Sequence, residues 1–281
     1  MKNLLFMPQH LIWQFRMAVN LGCTNERELQ YRLLKLPDQP HPGRFFTFPW
    51  GEIEFINASD LRGQYFEIFV QRHYAFLSSV PNPVIIDAGG NIGMSAIWFK
   101  REYPQGTVTV FEADPELVAV LQRNLTAAQV ADVKVVNAAV WTENGSVAFD
   151  NRGKDMGAVK SHGSIRVPAV DLSMHLPQRV DLLKLDVEGA EYPIVKRLCE
   201  TGAIARIINL VAEYHIHRDE FDDFVESLRL LRAAGFQVAA TSKLGPWLGQ
   251  ANPSTFELVG RNQILAEVYA WRPTQTQSEQ V

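Results

Sequence analysis

Cysteine is scarce in this sequence: of 281 residues only Cys23 and Cys199 carry thiols. They match no zinc or redox spacing, which excludes a disulfide-stapled scaffold and a cysteine metal centre, and free thiols in a reducing compartment are expected. No run of lysine and arginine is present, and the formal charge is −4, so a phosphate-tracking face for nucleic acid is not expected. Long hydrophobic runs are missing as well. The most apolar stretch near the start, Met1 to Leu21, is interrupted by Pro8, Gln9, His10, Gln14 and Arg16. It falls short of the ~20 apolar residues that a spanning helix needs. It reads as a packing helix, with a lid or a peripheral membrane-surface segment as alternatives. A cytoplasmic protein with no transmembrane segment is the resulting expectation.

Hydrophobic residues make up 47% of the chain, enough for a sizeable core. The length is about twice that of a common 100–150-residue domain, which suits one elaborated domain or one domain with a small partner. No internal repeat is evident. Residues 1–80 read as an elaboration. Within it, Arg44 to Ile56 forms short alternating strands around Pro49 to Gly51, and the apolar, aromatic stretch from Tyr65 to Phe76 predicts a helix. Residues 81–265 read as the main domain and 266–281 as a tail.

From Pro83 the pattern becomes strand, helix, strand, helix. Val84 to Ile86, Val108 to Phe111 and Val133 to Val136 are continuous apolar runs, as in strands buried on both faces of a parallel sheet. Asp114-Pro115 opens a helix with a capping carboxylate followed by proline. Ser146 to Phe149 with Ser164 to Val170 reads as an inserted hairpin. The alternation then resumes with Asp181 to Leu185, Glu191 to Leu198, Ile207 to Ala212 and a helix striped by Phe221, Phe224, Leu228 and Leu231. Phe236 to Ala240 and Phe256 to Val259 are predicted to close the domain as strands. The pattern describes a doubly wound α/β fold with an insertion.

Ligands of such sheets lie beyond the carboxyl ends of the strands. The loop there reads Asp87-Ala88-Gly89-Gly90-Asn91-Ile92-Gly93. A dinucleotide fingerprint begun at Gly89 needs glycine at 91 and 94, where Asn91 and Met94 stand. The pattern present is D-x-G-x-N-x-G, in which small residues admit a ligand to the backbone. Asp87 suits the ammonium of a zwitterion, and the loop amides suit its carboxylate. Glu112 ends the next strand, where a carboxylate can accept both hydroxyls of a ribose. A zwitterionic amino-acid end joined to a ribose describes S-adenosylmethionine.

Three stretches resemble the FkbM-type class I methyltransferases: Val84 to Gly93, Val110-Phe111-Glu112-Ala113-Asp114-Pro115, and Asp181 to Glu191 with its Lys-x-Asp-x-Glu-Gly-x-Glu string. Phe69 to Tyr74 is similar to the helix that precedes the family's first strand, and the resemblance spans about residues 60–242. It implies a Rossmann-like fold, with Asp87, Gly89, Asn91 and Gly93 lining the methionine end, Glu112 the ribose, and Ala138 and Ala139 the adenine. Gly90 and Ala113 depart from the residues frequent in the family, alanine and proline.

Amino-group methyltransferases commonly carry Asn or Asp before Pro-Pro-Tyr at the fourth strand's end. This chain has Asp186-Val187-Glu188-Gly189 there and no Pro-Pro pair. A hydroxyl acceptor on a small molecule or saccharide is therefore expected, with N-methylation and a non-catalytic cofactor-binding module as alternatives. Asp186 and Glu188 are expected to face the cleft; otherwise Asp186 anchors the loop and Glu188 caps the next helix. His215 is expected either as a general base, mostly neutral at pH 7, or as a brace paired with Glu213. Asp186, Glu213 and His215 come from adjacent strand ends, but the mixed donor set is not what magnesium prefers, so no metal is expected. His73 and His175 join no constellation.

Overall fold

The computed structural model describes residues 24–37, 44–150, 158–159, 163–217, 220–242 and 263–273. The chain enters through helix α1 (Thr24–Leu34) and an antiparallel hairpin of β1 (Arg44–Phe48) and β2 (Gly51–Phe55). Phe46, Phe48, Ile53 and Phe55 alternate onto one buried face, as the period of a half-buried strand requires. Helix α2 (Ala58–Gln64) starts where the Asn57 side chain accepts from the Ser59 amide, and it continues as a wider π turn over Tyr65–Val70. The helix predicted over 65–76 is thus shifted: the Asn57 cap starts it earlier, and Arg72, at φ +58, lies just beyond its end at Val70.

The doubly wound part follows: β3 (Val84–Ala88), α3 (Met94–Glu102), β4 (Thr107–Glu112), α4 (Pro115–Ala127) and β5 (Val133–Asn137). Asp114 caps α4 through the Glu116 amide, with Pro115 at its first position. The insertion holds β6 (Ala139–Trp141), β7 (Gly145–Asp150), β8 (Ala158–Val159) and β9 (Ile165–Asp171) in a small sheet in which β7 and β9 pair antiparallel. A short helix α5 (Leu172–His175) leads to β10 (Val180–Leu185), α6 (Glu191–Glu200), β11 (Ile207–His217), α7 (Phe221–Ala233), β12 (Gln237–Ser242) and β13 (Gln263–Trp271).

The main sheet has the order β12-β13-β11-β10-β3-β4-β5, with β13 antiparallel to both neighbours. This is the Rossmann-like arrangement expected, and its strand order reverses between β3 and β10. The crevice at that switch point is where such sheets bind ligands. Strand β13 corrects the boundary predicted at 265: the supposed tail, 266–281, begins inside the sheet. Ala266, Val268 and Ala270 alternate into the core beside α6 and α7, a pattern disguised by small residues and by Glu267. The strand predicted at Phe256 to Val259 lies outside the described residues.

Two apolar clusters flank the sheet, one under α3, α4 and the amino-terminal hairpin, the other under α6 and α7. Asn124 of α4 ties the hairpin to the crevice. Its Oδ1 accepts from the Glu54 amide at 2.7 Å, and its Nδ2 donates to the carbonyls of Glu54 at 2.9 Å and Ile92 at 2.8 Å.

Candidate active site

The loop between β3 and α3 is shaped by glycine. Gly89 stands at φ +96, and a Cβ there would lie 1.8 Å from the Asp186 carbonyl oxygen; one on Gly90 would lie 2.2 Å from Val110. Asn91 adopts φ +46, a conformation asparagine tolerates better than most side chains. The amides of Gly89 and Gly90 both donate to the Phe111 carbonyl, at 2.9 and 3.0 Å, so the loop folds back over the end of β4.

Glu112 closes that end. Its Oε2 accepts from the Asn91 amide at 2.8 Å and its Oε1 from the Asp114 amide at 2.9 Å. Burial pushes its carboxyl up to about 7 against these hydrogen bonds. Each carboxylate oxygen keeps a second lone pair, so both can still accept from a ligand. The loop amides are partnered within the protein: Ile92 donates to the Asn91 side chain at 2.7 Å and Gly93 to the Gly90 carbonyl at 2.9 Å.

One cleft brings together Gly89, Asn91, Glu112, Ala138, Ala139, Asp186 and Glu188, with Phe111, Leu117 and Val140 as apolar wall. Two expected members are not in its lining. Gly93, at φ +92, serves the turn into α3. Asp87 is fully buried, 3.1 Å from Lys184 Nζ and accepting from Ser95 Oγ at 2.5 Å. Lys184 is the cation beside Asp87, where the sequence leads one to expect a ligand ammonium.

The other side of the crevice is charged. His215 is 6% exposed, with Nε2 3.0 Å from Glu188 Oε2, Nδ1 3.3 Å from Glu191 Oε1, and Nε2 3.8 Å from Glu213 Oε1. Burial disfavours charge on the ring, but Glu188 and Glu191 outweigh it and carry the imidazole up to about 11. These carboxylates favour the charged ring over the neutral base expected at His215. The expected brace also changes partners, because Glu188 and Glu191 lie closer to the ring than Glu213.

Glu188, at φ +59, does not cap α6. Glu191 instead turns back to accept from the amides of Val187 at 3.0 Å and Gly189 at 3.1 Å. Asp186 keeps a side chain 26% exposed, 3.6 Å from Lys184 Nζ. The trio close enough to share one cation is Asp186, Glu188 and His215, whose ligand atoms lie within 4.8 Å of one another; Glu213 is not of it.

Sequence reasoning passed over four residues here. Lys184 is buried near the carboxyl end of β10, where burial works against its charge but Asp87 and Asp186 prevail and raise its pKa. Tyr74 lies with its ring 5.4 Å from that ammonium; burial, then the fields of Asp186 and Glu213, push its phenol well above the ordinary range. His73 Nδ1 pairs with Glu267 at 2.6 Å. A lone lysine inside an apolar strand was a readable signal that a buried partner exists. Among the described residues, no helix is long and apolar enough to cross a membrane.

Comparison with known proteins bears on this site. A family model described as the methyltransferase FkbM domain matches residues 87–238. The chain is 30% identical over 217 residues to Methyltransferase 1 of Beauveria bassiana, covering 67% of this chain and 82% of that protein. It is 28% identical over 229 residues to the 31-O-demethyl-FK506 methyltransferase FkbM of Streptomyces tacrolimicus, covering 67% and 86%. It is 27% identical over 176 residues to the 2-O-methyltransferase NoeI of Sinorhizobium fredii, covering 54% and 72%.

Proposed function

The chain belongs to the FkbM methyltransferase family, and from that premise we propose that it transfers a methyl group from S-adenosylmethionine to a hydroxyl of a small molecule or saccharide. The observation that carries this reading is the cleft at the strand switch, where Gly89, Asn91 and Glu112 meet Ala138 and Ala139. The residues fit the cofactor. Glycines at 89 and 90 let the loop pack directly on the Asp186 carbonyl and Val110, which side chains would prevent, and so place Gly89 and Asn91 at the cleft; Glu112 has lone pairs for two ribose hydroxyls, and Phe111, Leu117 and Val140 offer a wall for adenine.

S-adenosylmethionine supplies, when bound, a methyl group on a sulfonium sulfur. In-line attack on such a carbon is favoured chiefly by holding the acceptor oxygen about 3 Å away. Asp186, partly exposed and only loosely paired with Lys184, is the carboxylate free to accept a proton from an acceptor hydroxyl, whereas Glu188 is held by the His215 imidazolium. His215 thus orients Glu188 rather than removing a proton.

Oxygen is favoured by the absence of a Pro-Pro pair after Asp186 and by the names of two relatives, a 31-O-demethyl-FK506 methyltransferase and a 2-O-methyltransferase. A small acceptor rather than a nucleic acid is favoured by the carboxylates Asp186, Glu188 and Glu213 beside the cleft, which would repel phosphate. The test is incubation with methyl-labelled S-adenosylmethionine and a panel of hydroxylated acceptors, sugars included. Label recovered in a methyl ether is expected. Label on nitrogen, or none above a heat-killed control across the panel, would overturn the proposal.

A further inference from the structure

Asp87 and Lys184 are direct neighbours in the register of the parallel strands β3 and β10. The last ladder bond between these strands is donated by the Asp186 amide to the Ala88 carbonyl, at 3.0 Å. Beyond it the chains diverge, and no backbone bond joins the glycine loop to β10. The Lys184 ammonium bridges that gap. It donates to the Gly89 carbonyl at 2.7 Å and stands 3.1 Å from Asp87 Oδ1 and 3.6 Å from Asp186 Oδ2 as an ion-pair partner.

We propose that Lys184 is the positioning residue that sets the cofactor loop, and that Asp87 acts through it rather than on the ligand. The inference rests on the cofactor reading of the cleft. The Gly89 carbonyl is drawn down to Lys184 while the Gly89 and Gly90 amides are drawn across to Phe111. Together these bonds hold Gly89 at the positive φ that clears Asp186. Asp87, with Ser95, holds the ammonium in place from below. Without Lys184 the loop would lose its only described tie to β10, and with it the spacing of the crevice in which Asn91 and Glu112 stand.

The experiment compares natural protein with Lys184→Met, Asp87→Asn and the double variant, by urea unfolding, calorimetric titration with S-adenosylhomocysteine, and hydrogen exchange of residues 87–93 without ligand. Lys184→Met alone leaves a buried carboxylate unpaired and is expected to lose stability. The double variant removes both charges and recovers stability. It should nevertheless exchange its loop amides about tenfold faster and bind about tenfold more weakly, since a tenfold change is a modest coupling through one lost charged hydrogen bond. Asp87→Asn, which keeps the Lys184 bond to Gly89, should stay within about threefold of the natural affinity.

Natural exchange and affinity in the double variant would overturn the proposal, reducing Lys184 to a neutraliser of Asp87. A loss in Asp87→Asn equal to that in the double variant would overturn it the other way, putting Asp87 on the ligand. If the natural protein fails to bind S-adenosylhomocysteine, the functional reading fails, and the exchange rates still decide the role of Lys184.

Discussion

Around β3 and β4 the crevice is made of backbone: Gly89 and Asn91 turn through positive φ, which few other residues reach, and Glu112 is pinned by the amides of Asn91 and Asp114. Around β10 and β11 it is made of charged side chains: Lys184 among Asp87, Asp186 and Gly89, and His215 between Glu188 and Glu191. The first half depends on neighbours in sequence. The second depends on residues brought together only by the sheet. A ligand is cradled by shape on one side and faces electrostatics on the other, so the two halves should fail differently when altered.

The largest effect is expected in the backbone half. Gly89→Ala forces a Cβ against the Asp186 carbonyl and should destabilise the protein by about 3 kcal/mol through strain and overpacking, with S-adenosylhomocysteine binding lost. Near-natural binding in this variant, measured by calorimetry, would show that the loop is not shaped as described.

His215→Ala tests the charged half. It leaves Glu188 and Glu191 without their cation and should cost about 3 kcal/mol at pH 7, while cofactor affinity changes little. The sign with pH follows from a folded value of about 11 against 6.5 unfolded. The His215 contribution is complete below about pH 6.5 and disappears as pH rises through about 11. Urea midpoints of the two proteins should therefore converge at high pH. His215→Gln should keep turnover per folded molecule if Asp186 is the proton acceptor, as proposed; a loss of about 10²-fold or more would make the ring the base.

A smaller effect is expected at Glu112. Its carboxyl, raised to about 7, protonates in the folded state at a pH where the unfolded chain is still ionised. Stability should gain as pH falls from about 7 toward 4.5, whereas affinity for S-adenosylhomocysteine should fall over the same range, because ionised Glu112 is the stronger acceptor. Glu112→Gln should bind about tenfold more weakly and with a flat pH profile. An unaltered profile in that variant would take Glu112 out of the ribose site. The smallest effect is expected of chelators: in the trio of Asp186, Glu188 and His215, the imidazole is already paired with Glu188, which competes with a metal ion for both groups. Activity after exhaustive EDTA treatment should be unchanged, and loss restored by magnesium would make these residues ligands.

The same contrast explains what could be read from the sequence. The glycine loop, Glu112 and the Asp114-Pro115 helix start are local patterns, and the structure brings Gly89, Asn91, Glu112, Ala138 and Ala139 to one cleft. Strand β13 was hidden because alanines alternate with Glu267 and Tyr269, which weakens the apolar signal of a sheet strand. The partners of His215 were hidden for a different reason. Glu188 and Glu191 lie on the loop after β10 and in the first turn of α6, and their approach depends on the left-handed turn at Glu188, which no spacing reveals. Asp87 looked like a ligand group because its partner Lys184 is nearly a hundred residues away.

The most direct measurement is calorimetric titration of the natural protein with S-adenosylhomocysteine, repeated with Glu112→Gln at pH 8. The account predicts saturable one-to-one binding by the natural protein and about tenfold weaker binding by the variant. No binding by the natural protein, or equal binding by both, would contradict the claim that the cleft between Gly89 and Glu112 holds the cofactor.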